Sequence, residues 1–240
     1  MIDINKIYLG DCLEVMNGID DKSIDMILCD LPYGTTANKK DIVIPFEPLW
    51  KHYKRIIKDN GCIALFAQGI FSAKLIMSNE KWFKYDLVWK KGERTSGFLN
   101  AKKQPLRNHE QILIFYKKPP IYNPQMVIGP KSHSRGSNYK LVNNNYGEYE
   151  FLGGETPNGE LKYPKSILTF DKPHPSIHPT QKPVLLCEWL IKTYTNEGQL
   201  VLDNTVGYGT TCIAAKNTGR NFIGIDNDEV WYNQANSLLF

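Results

Sequence analysis

Short apolar runs alternate with amphipathic segments along the first 118 residues of the chain. The runs are too short for buried helices, and they predict strands at 6–10, 24–29, 62–67, 85–90 and 111–117. Apolar residues at helical spacing predict a helix over 48–61, which ends in a glycine, and another over 71–80. The pattern therefore indicates strands and helices in regular alternation.

The alternation stops between 119 and 182, where nine of the chain's fourteen prolines lie and no period is sustained. This composition indicates a loop-rich excursion and not a second hydrophobic core. The alternation returns after it, with strands predicted at 199–203 and 221–226 and helices at 183–195, 210–219 and 228–239. Strands that alternate with helices in this way predict a mainly parallel, doubly wound α/β sheet.

The composition is that of a globular protein with one substantial core, since 42% of the 240 residues are hydrophobic and 22% are charged. No signal peptide is visible, and no apolar run approaches the ~20 residues that span a bilayer, so a cytoplasmic protein without a membrane partner is expected. Five scattered cysteines without a C-x-x-C pair indicate free thiols and no zinc site. The net charge of +4 permits a polyanionic partner without requiring one.

A Gly-x-Gly loop joins a predicted strand to a predicted helix in the segment VLDNTVGYGTT at 201–211. No lysine follows Gly209, which excludes a P-loop, and a cysteine replaces the third glycine of a dinucleotide fingerprint. Asp203 at the strand end would repel a pyrophosphate but suits a cation. The loop therefore favours S-adenosylmethionine (SAM), which carries an ammonium and a sulfonium and no phosphate. Asp226 ends the next strand and could bind the ribose hydroxyls, although an ordinary glycine turn between two aspartates remains the alternative.

The segment CDLPYG at 29–34 follows the buried run at 24–29 and has chemistry that suits methyl transfer to an amine. Asp30 and the carbonyl of Leu31 can accept the two hydrogens of an exocyclic amino group, and Pro32 offers no competing N–H. Tyr33 offers a face on which an extruded base can stack. The alternative is a plain turn, since Asp, Pro and Gly all favour turns.

With both loops identified, the chain resembles the SAM-dependent amino-methyltransferases of DNA, in the permuted order called the β group. DLPY at 30–33 resembles the family's D-P-P-Y catalytic motif, and DNTVGYG at 203–209 resembles its SAM loop. HPTQKP at 178–183 is similar to the short motif that precedes that loop, and GDC at 10–12 to the segment that approaches the SAM adenine. The resemblance covers nearly the whole chain, apart from about 119–172.

The resemblance implies a circularly permuted class I methyltransferase fold, with a seven-stranded, mostly parallel sheet that contains one antiparallel strand. It implies that 1–118 and 177–240 are the catalytic and SAM-binding parts of one domain. The remaining segment, 119–176, would then be the loop-rich insert that recognises the target.

Site residues follow from the resemblance by position. It implies catalytic roles for Asp30, Leu31, Pro32 and Tyr33. It implies SAM contacts for Asp11, His178, Thr180, Lys182, Asp203, Thr205, Gly207, Gly209, Thr210 and Asp226. Two positions depart from the pattern: Leu31 replaces a proline whose backbone carbonyl is the functional group, and Tyr208 replaces a small residue between the glycines.

Positive charge is concentrated between 81 and 118, where ten basic and three acidic residues give a net +7. This segment is suited to phosphate binding, although a solvated lysine-rich face is the alternative. The predicted DNA contacts are Lys90, Lys91, Arg94, Lys102, Lys103 and Arg107, with Lys131, Arg135 and Lys140 in the insert. His109 and Glu110 are interpreted as structural.

The first residue of the catalytic motif bears on the substrate, because aspartate is typical of adenine-N6 enzymes of this family and serine of cytosine-N4 enzymes. Asp30 therefore favours adenine-N6 methylation of double-stranded DNA, with cytosine-N4 methylation as the alternative. A protein-glutamine methyltransferase would have asparagine first. A second alternative is an inactive DNA- or partner-binding relative in which Tyr208 blocks SAM. Family members often dimerise, so a homodimer and a cognate restriction endonuclease are candidate partners.

Overall fold

A computed structural model describes residues 2–36, 41–130, 139–143, 147–151, 160–174 and 181–240, with backbone alone for 139–143 and 147–151. Four predicted site residues lie outside the described residues: His178, Thr180, Lys131 and Arg135. The chain divides into two compact units, Met1–Asn123 with Ser166–Phe240, and Pro124–Lys165.

Most strands and helices lie within a few residues of the positions that the apolar pattern predicts. In the described part of the chain the strands are Lys6–Leu9 (β1), Ile24–Cys29 (β2), Ile57–Ala67 (β3), Phe83–Lys90 (β4), His109–Phe115 (β5), Val127–Ile128 (β6), Tyr139–Asn143 (β7), Gly147–Phe151 (β8), Leu161–Lys162 (β9), Ile167–Thr169 (β10), Leu200–Asp203 (β11) and Asn221–Asp226 (β12). The helices there are Cys12–Val15 (α1), Phe46–Ile56 (α2), Ile70–Met77 (α3), Val184–Tyr194 (α4), Thr210–Asn217 (α5) and Glu229–Leu239 (α6).

The larger unit is built on one mixed sheet in the order β1-β12-β11-β2-β3-β5-β4-β10. All neighbours pair in parallel except β5, which is antiparallel to β3 and to β4. The α/β class and the antiparallel strand are as expected, but the predicted count of seven strands is wrong, because the described residues contribute eight. The additional strand β10 pairs with β4, and the N–H of Val88 donates to the carbonyl of Ser166 at 2.8 Å. Its three residues lie in the proline-rich stretch, where so short an apolar run carries no periodic signal.

The central strands β2, β3 and β11 are buried on both faces, as parallel strands covered by helices require. Alternate residues of β2 enter two cores, with Met26 and Leu28 on one face and Ile27 and Cys29 on the other. Side chains of α4, α5 and α6 fill the first core, and side chains of α1, α2 and α3 fill the second. This packing holds the carboxyl ends of the central strands at one edge, where the loops of the site emerge.

The boundary between α2 and β3 differs most from its prediction. The helix expected over 48–61 ends at Ile56, and β3 begins at once with Ile57, which pairs with Ile24. A β-branched residue buried on both sides is favourable in a strand, so sheet pairing outweighs the helical spacing at this point.

The smaller unit, Pro124–Lys165, contains two antiparallel strand pairs among its described residues, β6 with β9 and β7 with β8. It is shorter than the insert predicted at 119–176. Asn123 belongs to the larger unit, where its N–H donates to the carbonyl of Thr193 at 2.8 Å. Over the described residues, no helix is long and apolar enough to cross a membrane.

Candidate active site

The two predicted functional loops meet at one edge of the sheet. Strands β2 and β11 are parallel neighbours, so the turn after Cys29 and the glycine loop after Asp203 leave the sheet side by side. The carboxyl ends of adjacent strands are where ligands bind in open α/β sheets. The fold therefore brings together two motifs that lie more than 170 residues apart in the sequence.

The glycine loop needs both of its glycines. Gly207 and Gly209 have φ values of 50° and 91°, which side chains rarely adopt. A Cβ on Gly209 would also lie 3.1 Å from the Cβ of Ala235. The carboxylate of Asp226 holds the loop from the next strand, because its Oδ2 accepts the N–H of Gly207 at 2.7 Å and its Oδ1 accepts the N–H of Asp228 at 2.8 Å. The loop is thus a rigid backbone surface beside an acidic side chain.

Asp203 is a buried carboxyl group at the base of this loop, with 4% of its surface exposed. Its Oδ1 accepts the N–H of Thr205 at 3.0 Å. Burial raises the pKa of Asp203 to about 7, although the Thr205 N–H and the side chains of Thr211 and Cys29 favour the ionised form. A cationic ligand would stabilise that ionised form, so this acid beside a glycine loop fits the ammonium or sulfonium of SAM.

Hydrogen bonds connect the glycine loop to the turn formed by Asp30–Tyr33. The hydroxyl of Thr205 donates to the backbone carbonyl of Asp30 at 3.1 Å. Below it, the buried side chain of Asn204 accepts from the hydroxyl of Tyr53 at 2.5 Å and from the thiol of Cys29 at 2.9 Å. These bonds set the distance between the two loops, which a transfer reaction between them requires.

In the Asp30–Tyr33 turn, Leu31 is buried and Asp30 and Tyr33 are partly exposed. Leu31 is 3% exposed and belongs to the second core, so its side chain anchors the turn where the family has proline. The ring of Tyr33 stacks on Phe71, with centroids 4.8 Å apart and an angle of 26° between the planes. Its hydroxyl donates to Oδ1 of Asp30 at 2.8 Å. Burial and the Asp30 carboxylate raise the pKa of the Tyr33 phenol, so the hydroxyl remains a donor.

The second oxygen of Asp30 faces a row of alternating charges. Nζ of Lys182 lies 2.5 Å from Oδ2 of Asp30 and 3.3 Å from Oε2 of Glu110. Nζ of Lys91 then lies 2.6 Å from Oε1 of Glu110. Both ammonium groups are almost fully buried, with side-chain exposures of 8% for Lys182 and 4% for Lys91. We call Asp30, Lys182, Glu110 and Lys91 the charge row.

The charge row alters the titration of its members. Burial raises the pKa of Asp30, and the attraction of Lys182 opposes this shift without cancelling it. Burial also acts to raise the pKa of Glu110, but Lys182 and Lys91 outweigh it and the pKa is lowered. For Lys182, burial acts to lower the pKa, and the two carboxylates outweigh it and raise the pKa. The lysine therefore stays charged between its acids.

The predicted DNA contacts are only partly on the surface. Lys90, Arg94, Lys102, Lys103 and Arg107 are exposed, and the last four lie in the hairpin connection between β4 and β5 at 91–108, within which Ser96 and Arg107 form a bridge. At its tip, Phe98 and Leu99 are 79% and 98% exposed. The prediction for Lys91 is wrong, because its ammonium is buried against Glu110 and is not available to a phosphate. Lys140 lies in β7, where only the backbone is described.

The remaining predicted residues lie around the glycine loop and at the sheet edge. Asp11 caps α1 by accepting the N–H of Leu13 at 2.8 Å, and Thr210 is the buried first residue of α5. Tyr208 is half-buried. Lys182 was expected among the SAM contacts, and the structure places its ammonium beside the carboxylate of Asp30.

Sequence reasoning missed the charge row. Glu110 was interpreted as structural, and Lys91 was counted with the surface lysines. A signal was present in the sequence, because Glu110 opens an apolar strand that otherwise enters the core. A buried acid of this kind requires a partner of opposite charge, although periodicity cannot identify that partner.

Comparison with known proteins identifies the family. The family model for N6 and N4 methyltransferases, described as DNA methylase, matches residues 24–237. The chain belongs to this family. The type II methyltransferase M1.MboII of Moraxella bovis is 29% identical, over 100% of this chain and 98% of the relative. The type II methyltransferase M.HpaI of Haemophilus parainfluenzae is 27% identical, over 98% of this chain and 74% of the relative.

Solved structures of DNA methyltransferases share the fold. The M1.HpyAVI–SAM complex matches with a TM-score of 0.64 and 23% identity, over 97% of this chain and 98% of that chain. The cytosine-N4-specific PvuII DNA methyltransferase matches with a TM-score of 0.69 and 15% identity, over 99% of this chain and 90% of that chain. The chain thus has the fold of class I SAM-dependent DNA methyltransferases.

Proposed function

We propose that this DNA methyltransferase transfers a methyl group from SAM to the N6 amino group of adenine in double-stranded DNA. The observation that carries the proposal is the bond between the two loops, in which the Thr205 hydroxyl binds the backbone carbonyl of Asp30. It ties the acid of the catalytic turn to the loop whose buried Asp203 suits a cationic cofactor.

SAM supplies an electrophilic methyl group on a sulfonium, and the residues around the glycine loop are suited to hold it. The buried carboxyl of Asp203 can accept the cationic end of the ligand, and the Gly207–Gly209 backbone leaves room for its body. Asp226 already accepts the Gly207 N–H through Oδ2, so it acts first as a brace for the loop. Its role toward the ribose, and that of Asp11 toward the adenine of SAM, stay predictions.

Asp30 activates the target amine. The lone pair of an exocyclic amine is delocalised into the base, and acceptors for both of its hydrogens make it a better nucleophile. The Asp30 carboxylate is one acceptor and the carbonyl of Leu31 the second, while the buried Leu31 side chain fixes the direction of that carbonyl. Attack is then direct and in line, with catalysis by positioning and electrostatics.

DNA binding is assigned to the hairpin that carries Arg94, Lys102, Lys103 and Arg107, because its four exposed cations can neutralise phosphates. A cleft of about 410 Å³ at its base is lined by Glu93, Arg94, Thr95, Lys172, Pro173 and His174. Lys131, Arg135 and Lys140 remain candidates for base contacts from the insert.

The choice of adenine rests on Asp30 as the first motif residue, and cytosine-N4 methylation is the rival. Incubation with labelled SAM and mixed-sequence DNA, followed by nucleoside analysis, decides between them. N6-methyl-2′-deoxyadenosine is the expected product. N4-methyl-2′-deoxycytidine would support the rival activity, and a protein that does not bind SAM at high micromolar concentration would support the inactive relative.

A cognate restriction endonuclease is also proposed, because the relatives M1.MboII and M.HpaI are type II methyltransferases. Modification-sensitive sequencing of DNA from cells that express the protein would give both the methylated base and the site. A homodimer stays a prediction that sedimentation of the purified chain would test.

A further inference from the structure

We infer that Lys182 is a positioning residue for the reaction, and that Glu110 and Lys91 set the strength with which it holds the catalytic carboxylate. The assignment of Asp30 as the amine acceptor rests on the proposed function. The arrangement of the charge row itself does not, because it follows from the contacts of the free protein.

The geometry leaves Asp30 little freedom. Tyr33 donates to Oδ1 at 2.8 Å, Lys182 donates to Oδ2 at 2.5 Å, and Thr205 holds the backbone carbonyl of the same residue. A carboxylate fixed at both oxygens keeps one orientation, and each oxygen still has a second lone pair for a substrate hydrogen. Lys182 therefore aims Asp30 without occupying all of its acceptor capacity.

Glu110 shares the same lysine. Its Oε2 lies 3.3 Å from Nζ of Lys182, while its Oε1 is held more tightly by Lys91 at 2.6 Å. The four charges alternate in sign, so no member is buried beside an uncompensated like charge. Glu110 is paired mainly with Lys91. Lys182 is therefore paired mainly with Asp30, and its ammonium lies closer to Asp30 (2.5 Å) than to Glu110 (3.3 Å).

Aromatic rings and one further cation complete the surroundings. The ammonium of Lys182 lies 5.0 Å from the ring centroid of Phe66, and that of Lys91 lies 5.3 Å from the ring centroid of Trp89. Lys172 also faces the row, and its pKa is lowered first by burial and then by Lys91. Water is largely excluded here, so each charge acts on its neighbour more strongly than it would on a surface.

The arrangement predicts that removal of the Lys182 charge and removal of the Glu110 charge shift the pKa of Asp30 in opposite directions. Removal of the Lys182 charge takes away the cation beside Asp30 and leaves the repulsion of Glu110, so the pKa of Asp30 should rise even though the Tyr33 hydrogen bond remains. Removal of the Glu110 charge takes away a repulsion and a competitor for Lys182, so the pKa of Asp30 should fall. A residue that merely filled space would not produce shifts of opposite sign.

The pKa of Asp30 can be measured in the free protein without knowledge of the DNA site. Aspartate labelled with 13C at the side-chain carboxyl is incorporated, and the resonance absent from Asp30→Asn is assigned to Asp30. Its titration is followed in the native protein, in Lys182→Met, in Glu110→Gln and in the double variant. We expect a higher pKa in Lys182→Met, and a return toward the native value when Glu110→Gln is added.

Lys58→Met is the matched control. Lys58 forms an ion pair with the buried Asp25 at 2.7 Å, at the opposite end of β2 from Asp30. The variant removes the same charge from a lysine–aspartate pair, although Lys58 is more exposed than Lys182, and the Asp30 resonance should titrate as in the native protein. Lys91→Met is the second variant if Lys182→Met does not fold, and it should raise the Asp30 pKa by a smaller amount, because Glu110 then draws Lys182 away.

The alternative role of Lys182 is as a SAM ligand, and calorimetry with SAM separates the two. An unchanged Asp30 pKa in both Lys182→Met and Lys91→Met overturns the inference, and a large loss of SAM affinity beside it would make Lys182 a cofactor residue. With DNA, the acid limb of kcat should move to higher pH in Lys182→Met, and a limb that stays in place also overturns the inference. Failure of the native protein to bind SAM or methylate DNA would remove the proposed function and leave the titration of Asp30 unaffected.

Discussion

Two aspartates at the carboxyl ends of neighbouring parallel strands lie at the same edge of the sheet, and their charges are stabilised in different ways. Asp30, after β2, has the ammonium of Lys182 within 2.5 Å. Asp203, at the end of β11, is bound by the N–H of Thr205 and interacts with the side chains of Thr211 and Cys29, which are all uncharged. Among the described residues, the charge of Asp30 is thus compensated by a cation, whereas that of Asp203 is compensated by dipoles.

This difference corresponds to the two roles that we propose. A catalytic acceptor must be ionised when the substrate arrives, and a cation beside it favours the ionised form. A carboxyl that binds a cationic cofactor gains from the opposite arrangement, because the ligand itself supplies the missing charge. The pKa of about 7 for Asp203 results mainly from burial, which the uncharged hydrogen-bond partners only partly offset.

Replacement of Asp30 should have the largest effect. Asp30→Ala removes one of the two acceptors for the amine, so methyl transfer should fall by about 100-fold or more. SAM affinity, measured by calorimetry, should change little because Asp203 is intact. The exposed Asp20→Ala serves as the control and should keep full activity. Substantial transfer by Asp30→Ala would refute the catalytic assignment.

Replacement of Asp203 should produce the reverse pattern, with SAM binding affected first. In the native protein the affinity for SAM should fall by about tenfold per pH unit below pH 7, since a protonated Asp203 no longer attracts a cation. Asp203→Asn should bind SAM weakly and without this pH dependence. Calorimetric titrations between pH 5.5 and 8, chosen to bracket the pKa of about 7, test this. A native affinity that is flat over that range would contradict the contrast between the two acids.

Replacement of lysines in the basic hairpin should weaken DNA binding without altering SAM binding. Lys102→Gln with Lys103→Gln should reduce the salt dependence of DNA binding by about two in the log–log slope, as two lost phosphate contacts require. SAM affinity should stay unchanged. Lys117→Gln with Lys118→Gln is the matched control, because these exposed lysines pair with Asp59. An equal loss in both double variants would mean that net charge alone attracts the DNA.

The free energy of unfolding of the free protein should depend on pH in a way that reflects the raised pKa of Asp203. Its pKa is higher in the folded state, at about 7, than the ordinary aspartate pKa of 3.8, so the folded state binds more protons between these values. This group therefore makes the protein less stable as pH rises from about 4 to 7, by up to about 1.4 kcal/mol per unit. The free energy of unfolding of the native protein minus that of Asp203→Asn should show this slope. No difference in slope would show that folding does not raise the pKa of Asp203.

The smallest effect is expected at Leu31. Leu31→Met keeps the buried volume and the backbone carbonyl, so the initial rate of transfer should stay within about twofold and stability should fall by less than about 1.5 kcal/mol. Initial rates and urea denaturation test the two parts. A rate loss as large as that of Asp30→Ala would show that the side chain at this position, and not the carbonyl, takes part in transfer.

The elements of the fold were predictable where burial dictates the sequence locally. The strand at 24–29 has the bounds expected from its apolar run, because all six of its residues are buried. The boundary between α2 and β3 was misplaced, since helical spacing continues into residues that pair in the sheet. The eighth strand was missed, because three residues among prolines produce no periodic signal.

The candidate site was predictable to the extent that its chemistry lies in contiguous motifs. Asp30 to Tyr33 and the glycine loop could be identified from residue types alone, because each needs a fixed local backbone. The exposed basic residues were also identified, but Lys91 was grouped with them since sequence position does not distinguish a buried lysine from its exposed neighbour.

Local periodicity and short motifs were enough to infer the α/β class, the order of the two functional loops and the acids at their ends. The pairing of each cation with its acid is visible only in the folded chain. Lys91, Glu110 and Lys182 come from distant segments, and their ammonium and carboxylate groups meet only when β4, β5 and the segment before α4 pack together. Charges attract over a few ångströms in space whatever their separation along the chain, so their pairing could not be read from spacing.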